Sequence, residues 1–132
     1  MEKLLQGLRA AAEPTRLRII ALCGHAELSV NELVTILGQT QPRVSRHLKL
    51  LVEGGLLQRN KEGSRAYYRL SNEAEGLSLG QMLNDLIPDN DELHSLDLSR
   101  LSSVKAERVR YAESYADPYF QEITNLRGLW PP

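Results

Sequence analysis

The chain has 132 residues, a formal net charge of −1 and a hydrophobic fraction of 42%, as expected for one globular domain or one domain with a helical extension. Its single cysteine, Cys23, excludes an intramolecular disulfide, and no apolar run approaches the roughly 20 residues needed to cross a bilayer. The N-terminus also lacks the long apolar stretch of a signal peptide. We therefore expect a soluble, cytoplasmic protein.

The first part of the chain is predicted to be helical. Apolar residues at helical spacing predict amphipathic helices over about residues 1–12 and 15–25. Pro14 suits the first turn of the second helix, where its missing N–H is unbonded anyway. Ser29 and Glu32 then have the spacing of a capping box, which predicts the start of a short third helix.

A link of only three residues separates the third helix from a fourth, predicted over Gln41 to Glu53. Gly38 is a natural stop for the third helix because glycine adopts the left-handed backbone common at helix ends. Thr40 is the predicted N-cap of the fourth helix. A short glycine-containing link between a brief helix and a longer, polar-faced one is typical of a helix-turn-helix, whose second helix enters the major groove of DNA.

The remaining chain predicts a hairpin followed by helices. Strand-like runs at 57–59 and 66–70 flank a turn-forming stretch at 60–64, which predicts a β-hairpin. Helical spacing returns over 77–87 and again from Leu96 to Tyr115, with Pro118 as the expected end of the last helix. Arg108 interrupts the apolar stripe of that helix. The fold class predicted is mainly α, a winged helix-turn-helix with a small β-hairpin wing.

Ten polar residues of the fourth helix and the hairpin are candidates for contacting double-stranded DNA. Arginine can bond guanine bidentately and glutamine can do the same to adenine, so residues near the start of the fourth helix suit base reading. The predicted base readers are Gln41, Arg43, Ser45 and Arg46, and the predicted backbone contacts are Thr40, Lys49, Lys61 and Arg65, with Arg59 on the wing. His47 is interpreted as either a packing or a phosphate-contacting residue.

The charge is segregated along the chain. Residues 39–70 hold seven basic and two acidic side chains, a net charge of +5, whereas residues 71–132 hold five basic and eleven acidic ones, a net charge of −6. A charged stripe taken alone is most often a solvated helix face. Positive charge concentrated where the motif needs it, beside a hairpin and a short inter-helix link, favours DNA binding.

Five runs of the chain follow one another in a characteristic order and spacing. They are EPTRLRII at 13–20, ELSVNEL at 27–33, QPRVSRHLKLL at 41–51, GGLL at 54–57 and YYRL at 67–70. Together they resemble the ArsR/SmtB family of bacterial winged-helix repressors, over about residues 4–87. The resemblance implies a homodimer paired through the first helix and the helix after the wing, bound to an inverted repeat near a promoter. We expect a DNA-binding and dimerisation domain at 1–88, followed by an acidic linker and a C-terminal helical extension at 89–132.

The sensing chemistry of known family members is not found in this sequence. Soft-metal sensors of the family carry a Cys-Val-Cys motif, and the matching residues here are Ser29, Val30 and Asn31, which offer no thiolate. A metal site built from Asp91, His94 and Asp97 is conceivable, but three polar residues in an acidic linker are usually just solvated. We predict no metal and no cofactor.

Cys23 and His25 have simple structural interpretations. A single cysteine on an apolar helix is most often a small buried hydrophobe, although a disulfide between subunits stays open. His25, at a helix end, is expected to stabilise that terminus. No nucleophile elbow, glycine-rich phosphate loop or metal-ligand pair of useful spacing is present, so we predict that the protein is not an enzyme.

Two other functions stay open beside that of a DNA-binding repressor. A winged helix can lose DNA binding and serve as a protein-interaction module. Residues 100–115 also resemble the linking helix of longer proteins that join this DNA-binding domain to a methyltransferase domain, so the chain could be a regulatory fragment of such a fusion. The sequence leaves open whether a small-molecule effector exists and which operator is bound.

Overall fold

Residues 1–114, the part of the chain that this computed structural model describes, form six helices and a three-stranded antiparallel sheet with strand order β1-β3-β2. This confirms the winged helix-turn-helix class. Tyr115 and Pro118, where the last helix was predicted to end, lie outside the described residues. The elements are α1 (Glu2–Ala11), α2 (Pro14–Cys23), β1 (Leu28–Ser29), α3 (Val30–Leu37), α4 (Gln41–Glu53), β2 (Leu57–Glu62), β3 (Arg65–Leu70), α5 (Ala74–Leu86) and α6 (Glu92–Ser114).

The predicted helix boundaries around the helix-turn-helix are confirmed. The Ser29 hydroxyl accepts from the Glu32 N–H at 3.2 Å, and the Glu32 carboxylate accepts from the Ser29 N–H at 2.9 Å, which completes the capping box of α3. Gly38 ends α3 at φ +67°, a backbone conformation that costs a side-chain-bearing residue roughly 1–2 kcal/mol. The fourth helix has the bounds that the sequence predicted.

The hairpin is longer than predicted. The strands pair as far as Glu62 and Arg65, which leaves a turn of two residues, Gly63 and Ser64, with Gly63 at φ +60°. The prediction of a wider turn was wrong because the polar residues 60–62 were interpreted as a loop, although polar side chains also suit strands near an exposed hairpin tip. The two-residue β1 was missed, since it exists only through its pairing with β3.

One core joins the helix-turn-helix, the hairpin and the last helix. Isoleucine and leucine side chains from α2, α3 and α4 are fully buried together, with Tyr68 of β3 and Leu101 of α6 in the same cluster. The described part of the segment after residue 88 therefore packs directly on the domain before it. The division of the chain at residue 88 stays a prediction.

The last helix begins earlier than predicted, at Glu92, and lies against α2 and α3. Arg108, which interrupts its apolar stripe, is 8% exposed and donates to the Glu32 carboxylate at 2.5 Å and to the Glu27 carbonyl at 2.8 Å. Arg18 of α2 donates twice to Asp97, at 2.9 Å each, and Asp97 is 1% exposed. Two buried ion pairs thus fasten α6 to the rest of the fold.

Large apolar side chains remain exposed on α1 and α5, which pack against each other. Leu4, Leu8, Met82 and Leu86 are between 40% and 69% exposed. Exposed apolar side chains grouped on neighbouring elements often mark an interaction surface. Within residues 1–114, none of the helices is both long enough and apolar enough to pass through a membrane.

Candidate DNA-binding surface

The turn between α3 and α4 is held in place by the start of α2. Gln39, in the middle of the link, donates from its side-chain amide to the Thr15 hydroxyl at 3.0 Å. Thr40 has the extended backbone of an N-cap, but its hydroxyl makes no capping hydrogen bond within the described chain, and the residue is exposed. The hydroxyl is therefore available to a ligand at the helix N-terminus, where backbone N–H groups favour anions.

The fourth helix has one buried and one exposed face. Val44, Leu48 and Leu51 are 0% exposed and anchor the helix in the core. The predicted base readers lie on or beside the outer face. Of these, Gln41, Arg43 and Arg46 are exposed and Ser45 is half-buried. Lys49, a predicted contact to the DNA backbone, is also exposed.

His47 does not share that outer face. Its ring Nδ1 lies 3.3 Å from an Arg16 guanidinium nitrogen and 3.7 Å from a Glu13 carboxylate oxygen, both at the start of α2. Burial lowers the pKa of His47 below its usual value; the Glu13 carboxylate opposes this, whereas Arg16 and the arginines of α4 add to it. Of the two interpretations left open by the sequence, the geometry favours packing. A contact with phosphate stays a prediction.

Arg16 was not among the predicted functional residues, yet it connects three helices. Its Nε donates to the Ala10 carbonyl at the end of α1 at 2.5 Å, while its guanidinium also reaches His47 on α4. The Glu13 carboxylate accepts from the Arg16 N–H at 2.9 Å and caps α2. The arrangement fixes α4 against the start of α2. In the sequence, this position stands out only as part of the run at 13–20 that resembles the family. Its contacts could not be predicted, because they join residues up to 31 positions apart.

The register of the hairpin separates its three predicted contacts. Residues directly opposite in an antiparallel pair lie on the same face, and faces alternate along a strand. Arg59 is opposite Tyr68 and Lys61 is two positions on, so both lie on one face. Arg65, opposite Glu62, lies on the other face, beside α6. All three side chains are exposed.

The cations of this surface are not neutralised by the part of the chain that the structure describes. Among residues 1–114, no ion pair involves any of the six basic residues predicted to contact DNA, and the acidic side chains of α6 do not reach them. Their charge is available to an external polyanion. The six are Arg43, Arg46, Lys49, Arg59, Lys61 and Arg65.

The side chains considered for metal or redox sensing are occupied in other ways. Ser29 caps α3, and Asp97 is bound by Arg18. Within the described residues, no group of three histidine, cysteine or carboxylate side chains is placed to hold a metal ion. Cys23 is buried, and burial raises the pKa of its thiol to about 12, so the thiolate that redox chemistry requires is disfavoured.

Comparison with known proteins gives consistent matches. The model of the bacterial regulatory protein arsR family matches residues 13–59. The chain is 47% identical over 68 residues to the arsenical resistance operon repressor of Escherichia coli K12, which covers 51% of this chain and 58% of that protein. It is 36% identical over 97 residues to the arsenic resistance transcriptional regulator ArsR1 of Pseudomonas putida, which covers 73% of this chain and 75% of that protein.

A solved structure is similar over most of the described chain. It is the homodimeric winged helix-turn-helix DNA-binding domain from Mycobacterium bovis, with a TM-score of 0.56 and 28% sequence identity. The likeness covers 69% of this chain and 86% of that one.

Proposed function

Because the chain belongs to the arsR family of bacterial regulatory proteins, we propose that it is a cytoplasmic, sequence-specific transcriptional repressor that binds an inverted repeat in DNA as a homodimer. The observation that carries the proposal is the outer face of α4, where exposed cations without an ion-pair partner among residues 1–114 lie close to a helix N-terminus. Members of the family are regulators rather than enzymes, and the relatives in Escherichia coli and Pseudomonas putida are named as a repressor and a regulator of arsenic resistance.

The residues divide into two roles at the DNA. Gln41, Arg43, Ser45 and Arg46 read base edges in the major groove, since they lie near the start of the recognition helix. Thr40, Lys49 and the exposed cations of the wing contact phosphates and fix the register of the protein on the duplex. His47 acts through Arg16 and Glu13 by holding the recognition helix at its angle.

The homodimer is paired through α1 and α5. Their exposed apolar side chains form one patch on two contacting helices, and a second copy would remove this surface from water. The relative from Mycobacterium bovis is described as homodimeric. Sedimentation equilibrium tests the pairing. Met82→Glu should give monomers, whereas Val109→Glu on α6, at a similarly exposed apolar residue, should leave the dimer intact.

The decisive experiment is fluorescence anisotropy of the full chain with DNA from its own promoter, in the presence of a shuffled competitor. Tight binding that resists the competitor and is lost in Arg46→Ala supports a sequence-specific regulator. Lys105→Ala is the matched control, since it removes one exposed positive charge from α6, away from α4. Weak binding that is equal for both DNAs and abolished by modest salt would leave only electrostatic contact and would favour a protein-interaction module instead.

A further inference from the structure

A cavity of about 590 Å³ lies between α3, α6 and the wing. This volume is within the range of small-molecule sites, roughly 300–1,000 Å³. Its walls combine apolar and polar side chains from three separate elements. Val104 and Tyr111 of α6 provide the apolar part, Asn31 and Thr35 of α3 line one side, and Arg65 reaches it from β3.

Within residues 1–114, the cavity lining carries more positive than negative charge. Four arginines and two glutamates of this part of the chain line it. Arg108 is neutralised by Glu32, and Arg110 pairs with Glu107. The two remaining arginines, Arg65 and Arg100, have no carboxylate partner within residues 1–114.

Each of these two arginines retains donors for a ligand. Arg100 gives one N–H to the Ile36 carbonyl at 3.0 Å, and a guanidinium has five. Arg65 is exposed at the start of β3, on the face of the hairpin turned away from Arg59 and Lys61. As far as residues 1–114 show, one cavity therefore has donors without a partner on two walls, the wing and α6.

We propose that this cavity binds a small organic anion, a carboxylate or phosphate ester joined to an apolar body. Arg65 and Arg100 hold the anionic group, since guanidinium groups match carboxylate and phosphate geometry. Val104 and Tyr111 pack against the apolar body. An inorganic anion would fill only a small part of this volume and would leave the apolar wall uncovered.

The ligand would connect the cavity to DNA binding. It would touch α3, the first helix of the helix-turn-helix, and would draw Arg65 of the wing towards α6 while cancelling its charge. We expect DNA affinity to fall when the ligand is bound. Arg65, drawn towards α6 and with its charge cancelled by the ligand, would then attract DNA phosphates less strongly. This regulatory step rests on the proposed DNA-binding function, whereas binding of the ligand does not.

The binding test is a titration of the ¹⁵N-labelled full chain with phenyl phosphate and with benzoate, followed by amide chemical shifts. Saturable shifts are expected at Thr35, Ser103 and Val104 with at least one of the two probes, and the stronger one identifies the anionic group. Arg65→Gln should weaken the binding by about tenfold or more, the usual scale of one charge-assisted hydrogen bond. Arg59→Gln, on the other face of the same hairpin, should leave the binding unchanged.

The remaining outcomes each decide a part of the proposal. Absence of saturable shifts, equal weakening by Arg59→Gln, or equally tight binding of phenol or inorganic phosphate would overturn the site. A second variant, Arg100→Gln, should weaken binding like Arg65→Gln. If the probe binds but promoter-DNA affinity does not fall, the regulatory step is wrong while the site stands. If promoter DNA does not bind at all, the proposed function fails, and the shift titration still decides the site.

Discussion

Arginines have two different environments in this fold, at the outer face of α4 and beneath α6. Arg43 and Arg46 of α4 are exposed and have no ion-pair partner among residues 1–114, whereas Arg18 and Arg108 each bond a carboxylate, with side chains only 17% and 8% exposed. The residue type is the same, and the difference lies in whether a carboxylate from a distant part of the chain reaches it. The first pair can bind an external anion, and the second pair holds the fold together.

The two environments should respond to different changes. A buried arginine whose partner is removed leaves a charge without compensation, which is strongly destabilising. An exposed arginine contributes little to stability, because surface substitutions usually change it by less than about 0.5 kcal/mol. Substitutions at the ion pairs beneath α6 should therefore change stability, whereas substitutions on the outer face of α4 should change DNA affinity.

The largest effect is expected from Asp97→Ala. The substitution leaves the Arg18 guanidinium without the carboxylate that accepts two hydrogen bonds from it. Breaking a buried pair in this way costs about 3–5 kcal/mol, and the lower end is expected here because Arg18 keeps some contact with water. Urea denaturation followed by circular dichroism measures the change.

Replacing both partners of the same pair provides the control. Arg18→Met combined with Asp97→Leu removes both charges and should recover most of the lost stability, because no charge remains unpaired. A double variant as unstable as Asp97→Ala alone would mean that packing of α6, and not the unpaired guanidinium, causes the loss.

A somewhat smaller, pH-dependent effect is expected from Glu32→Gln. Burial would raise the pKa of Glu32, but hydrogen bonds from Arg108 and from the Ser29 N–H outweigh it and leave the pKa below its usual value. A carboxylate with a lowered folded pKa stabilises the protein above its unfolded pKa and loses that contribution as the pH falls through the folded value. The variant should cost about 2 kcal/mol at pH 7, the scale of a hydrogen bond to a charged group.

The same two proteins measured at several pH values complete the test. The difference in unfolding free energy between the parent and Glu32→Gln should shrink as the pH falls below the usual carboxyl range, since the parent then protonates Glu32 as well. A difference that stays constant from pH 7 to the lowest pH at which both remain folded would exclude the charge of Glu32 as its source.

Local signals in the sequence predicted the helix-turn-helix well. The capping box at Ser29 and Glu32, Gly38 as the helix stop and the start of α4 depend on contacts within a few residues, so they can be predicted from short runs. β1 could not be predicted, because two residues become a strand only through pairing with Tyr67 and Tyr68 almost 40 positions later. The extent of the hairpin was wrong for a related reason, since polar side chains at an exposed tip suit both strand and loop.

The candidate site was predictable in composition but not in geometry. Exposed cations on α4 follow from helical spacing, and their exposure agrees with the predicted face. Their contact with DNA stays a prediction. The ion pair of Arg108 could not be predicted, because its partner, Glu32, lies 76 residues earlier in the chain. Nor could the sequence show that Arg65 lies on a different face from Lys61, which depends on the hairpin register.

On the outer face of α4, where the arginines are exposed, Arg43→Ala should lower DNA affinity and leave stability unchanged. If Arg43 bonds guanine bidentately, its loss costs about 1–3 kcal/mol of binding at each half-site of the promoter and relaxes specificity at that base. The unfolding free energy should stay within about 0.5 kcal/mol of the parent. Anisotropy titrations with promoter and shuffled DNA measure the first quantity and urea denaturation the second. Equal losses on both DNAs would exclude Arg43 as a base reader.

The smallest effect is expected at the wing, from Lys61→Ala. Lys61 lies in β2 near the hairpin tip, is exposed and has no ion-pair partner among residues 1–114. A lysine that contacts only phosphate adds the same attraction to every sequence, so promoter and shuffled DNA should be weakened alike. Its loss should also reduce the slope of log affinity against log salt by about 0.9 for each protomer, the value for one released counterion, and so by about 1.8 for the dimer. Affinities at four or more salt concentrations give that slope, with Lys105→Ala as the control that should leave it unchanged. A slope unaffected by Lys61→Ala would place the residue away from the duplex and would restrict the DNA contact to α4.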